Sequence, residues 1–168
     1  NPQLHDDFLR GSERIADAAR AAGVRLLVVG GAGSLYIAPG QQLVNSPSFP
    51  AEWKQGALAA REVLTRLRAD TTSLDWTFVS PAIFLEPGER TGRYRLGTES
   101  PVMDAEGKSR ITAADLAAVA TQRGGTVKLA GVNRRLNDLL VITKLVNVFE
   151  AHDTAEAAVR SFDTLVAA

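Results

Sequence analysis

The residues whose types and spacing could do chemistry lie in RLLVVGGAGSLY, residues 25–36. An apolar, strand-like run meets glycines spaced G-x-G. In such a setting backbone N–H groups can cradle a dinucleotide pyrophosphate at the start of a helix. That chemistry needs G-x-G-x-x-G between a strand and a helix. Gly31-Ala32-Gly33-Ser34-Leu35-Tyr36 puts tyrosine where the third glycine belongs, and starting one residue earlier aligns Gly30, Ala32 and Leu35. The chain then runs into Ile37-Ala38-Pro39-Gly40, which cannot open a helix. No acidic residue stands about twenty residues on at the end of a second strand. The alternative is a strand end whose small residues let another layer approach.

Other chemistry-bearing groups are sparse. Arg90, Arg93 and Arg95 with Tyr94 in GERTGRYRLG form a basic strip that could grip a phosphate or carboxylate. The competing reading is a twisted hairpin with outward arginines balanced by Glu86 and Glu89. Arg134 and Arg135 fall in the first turn of an expected helix, where the dipole disfavours cations, so an acidic partner is one explanation. Glu13, Asp17, Glu52 and Glu62 are spread over helix surfaces, and spacing forces no carboxylate pair together. No catalytic residue is assigned. The chain has no cysteine, which excludes disulfides and thiolate chemistry. His5 and His152 lie near opposite ends, so no metal site is expected. Trp53 and Trp76 read as core or partly covered residues.

The elements that must position these groups alternate. The chain has 168 residues, 45% hydrophobic and 23% charged, the balance of a soluble globular domain. Lys plus Arg and Asp plus Glu are 19 each, so nothing favours nucleic acid. No apolar stretch is long enough for a bilayer span. NPQLHDDFLR lacks the order of a secretory leader, and the expected compartment is the cytoplasm. Residues 6–22 read as a helix with Phe8, Leu9, Ile15, Ala19 and Ala22 inward, stopped by Gly23. Residues 25–29 read as a strand. Residues 51–69 make a helix with Trp53, Ala57, Ala60, Leu64 and Leu67 on one face. Residues 75–80 form a strand ended by Pro81, and the turn-rich 84–110 makes short hairpins or an excursion. Thr112 caps a helix to about Gln122. Strand 126–132, helix 133–145 with Leu136, Leu139, Leu140 and Thr143 inward, strand 146–153 and helix 154–166, capped by Asp153 or Thr154, complete the alternation. Strands joined by crossover helices imply a parallel sheet with helices on both faces.

Several longer words carry a resemblance. GVRLLVVGGAGSLY, FPAEWKQGALAAREVL, LDWTFVSPAIFLEPGERTGRYRLG and DAEGKSRIT, over residues 1–118, resemble the second half of NAD(P)H-binding, flavin-reductase-like proteins of the NmrA-like, atypical short-chain dehydrogenase group. The resemblance implies that GGAGS ends a strand lining the nicotinamide side of the cleft. Gly31, Ser34 and Tyr36 would then border cofactor or substrate, and Pro81 and Phe84 would stand at the lip of the same cleft. It also implies a phosphate-binding loop in a strand–helix unit expected before Asn1. No tyrosine has lysine four residues later, so the Tyr-x-x-x-Lys pair of typical short-chain dehydrogenases is absent.

Residues 121–162, with RGGTVKL, DLLVITKL, VFE and RSF, resemble the second half of a STAS domain, the fold of anti-sigma-factor antagonists. That resemblance implies a protein partner docking on helix 133–145 and a phosphorylatable serine before the second helix. Ser109 in GKSRIT is the nearest candidate, against the reading of an exposed loop serine. Together these imply a three-layer Rossmann-like α/β sandwich over 1–168, its mainly parallel sheet built from two half-domains, 1–118 and 119–168, joined within helix 113–122. The function expected is that of a designed or recombined chimera without intact cognate activity and with no cofactor. The alternatives are an NADP- or NAD-binding oxidoreductase and a STAS-type interaction module. Missing strands would leave an open sheet edge, so a homo-oligomer is expected.

Overall fold

Two helices of 19 residues, α1 (Leu4–Ala22) and α2 (Ala51–Ala69), frame the first part of the chain. Helix α1 carries Asp6 and Asp7 in its first turn, where they complement the helix dipole. It stops at Gly23, whose φ of +64° is open to glycine at no steric cost. The Gly23 and Val24 N–H groups donate back to the Arg20 and Ala19 carbonyls in a Schellman closure. Arg20 also pins this end, donating to Asp70 at 2.9 Å and to the Thr72 hydroxyl at 2.9 Å.

The computed structural model describes residues 3–121, 128–130, 137–138, 140–141, 150–154, 157–158 and 160–161. They fall into two units, Asn1–Leu85 with Tyr94–Ile111, and Glu86–Arg93 with Thr112–Ala168.

In the first unit, β1 (Leu26–Val29) pairs in parallel with β4 (Trp76–Val79), Leu26 opposite Trp76 and Val29 opposite Val79. Helix α2 makes the crossover between them. The core gathers Leu9, Ala19, Val63, Leu67 and Leu74, with Leu26, Val28, Trp76 and Phe78 packed against it. The inward faces differ in part from the sequence expectation. Helix α1 buries Leu9 and Ala19 but leaves Phe8 and Ile15 38% and 49% exposed. Seven and three residues apart, Leu9, Ala16 and Ala19 set the seam, and Phe8 and Ile15 stand about 100° round from its large members. On α2, Ala59, Ala60, Val63, Leu64 and Leu67 are buried, and Trp53 is exposed one turn too early to reach the core.

The chain between β1 and α2 is short-range structure throughout. A 3-10 turn (Ala32–Ser34) leads to β2 (Tyr36–Ala38), which turns at Gly40, φ +72°, into the antiparallel β3 (Gln41–Gln42). A second 3-10 turn (Leu43–Asn45) follows. After β4 come β5 (Phe84–Glu86) and β6 (Arg110–Thr112), which pair with each other. Residues 87–109 between them form an excursion without strand, so the hairpin expected around Arg90–Arg95 is corrected. Prolines and glycines deprive this stretch of ladder donors and side-chain packing.

In the second unit, Thr112 caps α3 (Ala113–Thr121) as expected, its hydroxyl accepting the Asp115 N–H at 3.1 Å. Strands β7 (Lys128–Ala130) and β8 (Glu150–His152) pair in parallel. Of the expected helix 133–145, residues 137–138 and 140–141 are helical, with Leu140 buried and Val141 exposed; Arg134, Arg135 and its other residues lie outside those described. Thr154 rather than Asp153 caps the last helical segment, accepting the Ala157 N–H at 3.0 Å. The parallel pairing expected from the alternation is therefore present. Among the described residues the strands pair two by two.

Candidate functional site

Parallel strands leave a sheet from the same edge. At the carboxyl ends of β1 and β4 the chain continues as Gly30–Tyr36 and as Ser80–Pro81. In open α/β sheets this is the edge on which ligands bind. The two exits are tied together. Gly30 N–H donates to the Val79 carbonyl at 3.0 Å. The hydroxyls of Ser34 and Ser80 lie 3.0 Å apart, and Ser34 also donates to the Gly31 carbonyl at 3.3 Å. Ser34 is only 5% exposed, and Pro81 is buried. A further layer holds the turn: Gln42 Nε2 donates to the Ser34 carbonyl at 3.0 Å, and Arg61 reaches Gln42 and Asn45 at 3.3 and 3.4 Å.

The three glycines have different reasons to be there. A methyl group on Gly30 would overlap the Phe78 ring. On Gly33 it would fall 3.1 Å from Ala57 Cβ and 3.3 Å from Val44 Cβ, so Gly33 lets the turn lie against α2. These two bear out the close-approach reading. On Gly31 nothing stands within 4 Å; its extended backbone leaves an open face beside the serine pair. The turn enters a hairpin instead of a helix, so no helix N-terminus is presented for a pyrophosphate.

The residues picked out by resemblance are placed as follows. Gly31 and Ser34 are bonded to each other, and Pro81 follows Ser80 directly. Tyr36 donates its N–H to the Glu99 carbonyl at 2.8 Å and lines a neighbouring cavity of about 480 Å³. Phe84 begins β5 with its N–H on the Ser109 carbonyl at 2.9 Å and is 52% exposed. Sequence reasoning missed Ser80, Gln42 and Arg61. Ser80 was findable, because a hydroxyl before a strand-ending proline has few places to go but the same edge. Ser109 is not an exposed loop serine: it is 1% exposed, and its hydroxyl accepts the Ile83 N–H at 3.3 Å. That burial also removes it as a ready phosphoacceptor.

In the second unit, Asp115 is 2% exposed and holds the Thr91–Gly92 turn. It accepts the Thr91 hydroxyl at 2.7 Å and the Thr91 and Gly92 N–H groups at 2.9 and 2.8 Å. The Thr91 hydroxyl foremost, with both N–H groups, outweighs burial and holds this carboxyl below the usual range. His152 Nε2 meets both Ser161 Oγ and Glu150 Oε1 at 3.1 Å. With both partners on one ring nitrogen, the arrangement is no nucleophile–base–acid relay. Among the described residues no group of three or more His, Asp or Glu side chains could hold a metal ion, and no helix is long and apolar enough to cross a membrane.

Comparison with known proteins places this edge in context. Residues 4–123 match the family described as NAD(P)H-binding. The chain is 45% identical over 118 residues to the uncharacterised protein YwnB of Bacillus subtilis, a match covering 68% of this chain and 55% of that protein. Among solved structures, it is 36% identical to a Streptococcus pneumoniae protein described as an NADH-flavin reductase, with a TM-score of 0.65 over 76% of this chain and 62% of the other. It is 42% identical to a Bacteroides thetaiotaomicron protein described as an epimerase, with a TM-score of 0.59 over 64% and 50%. The chain thus spans 50–62% of the length of these relatives. These matches establish an α/β Rossmann-like NAD(P)-binding fold with parallel strands. They overturn the expectation of a recombined chimera without cognate activity. The family match runs unbroken through the helix in which two half-domains were expected to join, and the relatives are natural bacterial proteins. The STAS-like reading of 121–162 gains no support from them.

Proposed function

This chain belongs to the NAD(P)H-binding, flavin-reductase-like family, and from that premise we propose that the edge formed by Gly31, Ser34, Tyr36, Ser80 and Pro81 takes the nicotinamide end of NADPH or NADH in a reductase. When bound, the cofactor supplies a hydride. The observation that carries the reading is the Ser34–Ser80 hydroxyl bond, which fixes the spacing of the two loops at the carboxyl ends of two parallel strands.

The residues present fit the uncharged, flat end of that cofactor. Gly31 leaves open space for a ring to approach the backbone. The serine hydroxyls and nearby backbone groups are the polar partners a carboxamide needs. No charged side chain belongs to the edge, which suits a neutral dihydronicotinamide. The phosphates are not accommodated here, because the turn opens no helix.

The test is a titration of the 168-residue chain with NADPH and NADH, followed through Trp76 on β4 and Trp53 on α2. Saturable binding in the micromolar range, weakened by Gly31→Val without loss of cooperative melting, supports the reading. No change up to millimolar cofactor, from a chain that melts cooperatively, ends it for this chain.

A further inference from the structure

The cavity beside Tyr36 has its own chemistry. It is bounded by the β2–β3 hairpin, through Tyr36, Ile37, Pro39 and Gly40, and by Ser100, Pro101 and Met103 across from it. Its volume of about 480 Å³ lies within the range of small-molecule sites. No lining residue carries a charge. The charged residues that flank the lining ones in sequence are paired, Glu99 with Arg68 at 2.8 Å and Asp104 with Arg110 at 3.5 Å. Glu99 also fixes the wall, its carbonyl accepting the Tyr36 N–H at 2.8 Å. The hairpin turns at Gly40, φ +72°, and carries a register irregularity between Tyr36 and Ala38. Tyr36 and Ser100 are the lining residues with a polar side chain, and neither hydroxyl bonds another described side chain. Ile37 and Met103 stand 42% and 44% exposed on the rim. Exposed branched and thioether side chains around a concave, uncharged floor suit a ligand that covers them with apolar surface.

We propose that this cavity is the seat of a neutral, largely apolar small molecule, held by the Tyr36 and Ser100 hydroxyls and excluding phosphate- or carboxylate-bearing analogues. An anion placed here would lose water and gain no cation. Identifying that molecule as the reductase's substrate rests on the reading above, because Tyr36 belongs to both places. The cavity itself stands on its own geometry, so its test needs no cofactor.

The probes are 2-naphthol, neutral at pH 7, and its 6-sulfonate, added to the full 168-residue chain without NAD(P)H and followed by probe fluorescence and calorimetry. Saturable binding of 2-naphthol, about tenfold or more tighter than the sulfonate, is expected. Met103→Glu and Ile37→Glu should each weaken 2-naphthol by roughly fivefold or more, with cooperative melting retained and Met103→Leu close to the parent. Equal affinity for the two probes, no binding of either, or naphthol binding unmoved by both Glu variants overturns the proposal. NADPH titration of the same variants keeps the two readings apart: cofactor binding that fails while naphthol binds removes the reductase reading and leaves the cavity.

Discussion

Ser34 and Ser80 meet hydroxyl to hydroxyl at 3.0 Å, one in the turn after β1 and the other immediately after β4. The relationship exists because the strands are parallel and in register, Val29 opposite Val79, so both chains leave the ladder at the same level. The bond between these short side chains, with that from the Gly30 N–H to the Val79 carbonyl, then ties the two exits together. It does so at a nearly buried position, where an unpaired hydroxyl is costly.

Removing the Ser34 hydroxyl takes away the partner of Ser80, whereas removing that of Ser80 leaves Ser34 its bond to the Gly31 carbonyl. Ser34→Ala and Ser80→Ala should each cost about 1 kcal/mol of stability, with a double-mutant coupling of roughly 0.5–1.5 kcal/mol. Urea unfolding of the three variants measures this. Additive losses would mean that the two hydroxyls are satisfied separately and that the edge is not tied by their bond.

The glycines separate packing from binding. Gly33→Ala forces a methyl group against Ala57 and Val44 and should destabilise the chain by about 1–3 kcal/mol. Gly31→Ala meets nothing and has an extended backbone, so its stability should stay within about 0.5 kcal/mol of the parent while NADPH affinity falls. Thermal melts paired with cofactor titration check both. A Gly31→Ala chain that melts early, or that binds NADPH unchanged, removes the assignment of Gly31 to the ligand face.

Helix α1 leaves an apolar stripe uncovered among the described residues: Leu4, Phe8 and Ile15 are 40%, 38% and 49% exposed, and a Cβ on the intervening Gly11 would meet nothing. Self-association through this stripe is the expected outcome, as contiguous exposed apolar surface is usually covered by a partner. Sedimentation should show a concentration-dependent dimer that Phe8→Asp with Ile15→Asp returns to monomer. A parent chain that stays monomeric at high concentration refutes it.

What was legible in the sequence follows from range. Helix α2 was readable to the residue, because Pro50 and a run of strong helix formers fix it locally. The Thr112 cap and the strand before Pro81 were equally local. The orientation of α1 was not, since Phe8 and Leu9 are equivalent to an apolar count and only the seam with Val63 and Leu67 chooses between them. The site was half legible. Gly31, Ser34 and Tyr36 stand out by type, but Ser80 joins them from 46 residues away through strand register. The role of Asp115 was not legible, because its carboxylate is taken up by Thr91 and Gly92, 24 and 23 residues earlier in the chain.

Asp115 gives the chain a pH dependence whose sign is fixed. Its carboxyl is held below the usual value by the Thr91 hydroxyl and by the Gly92 and Thr91 N–H groups. A lowered folded value means that its contribution is complete above the unfolded carboxylate pKa of about 4 and is lost as pH falls through the lower folded value. Asp115→Asn keeps the shape but turns an N–H₂ group toward donors, either the Thr91 hydroxyl or the Thr91 and Gly92 N–H groups. At pH 7 the variant should be less stable by about 2 kcal/mol, the scale of hydrogen bonds to a charged acceptor. Between about pH 5 and 2 the gap should narrow, because the parent loses the ionised acceptor that the variant never had. Urea midpoints of parent and variant across that range decide it. A gap that stays constant with pH would show that Asp115 acts through shape alone and that its charge does not hold the Thr91–Gly92 turn.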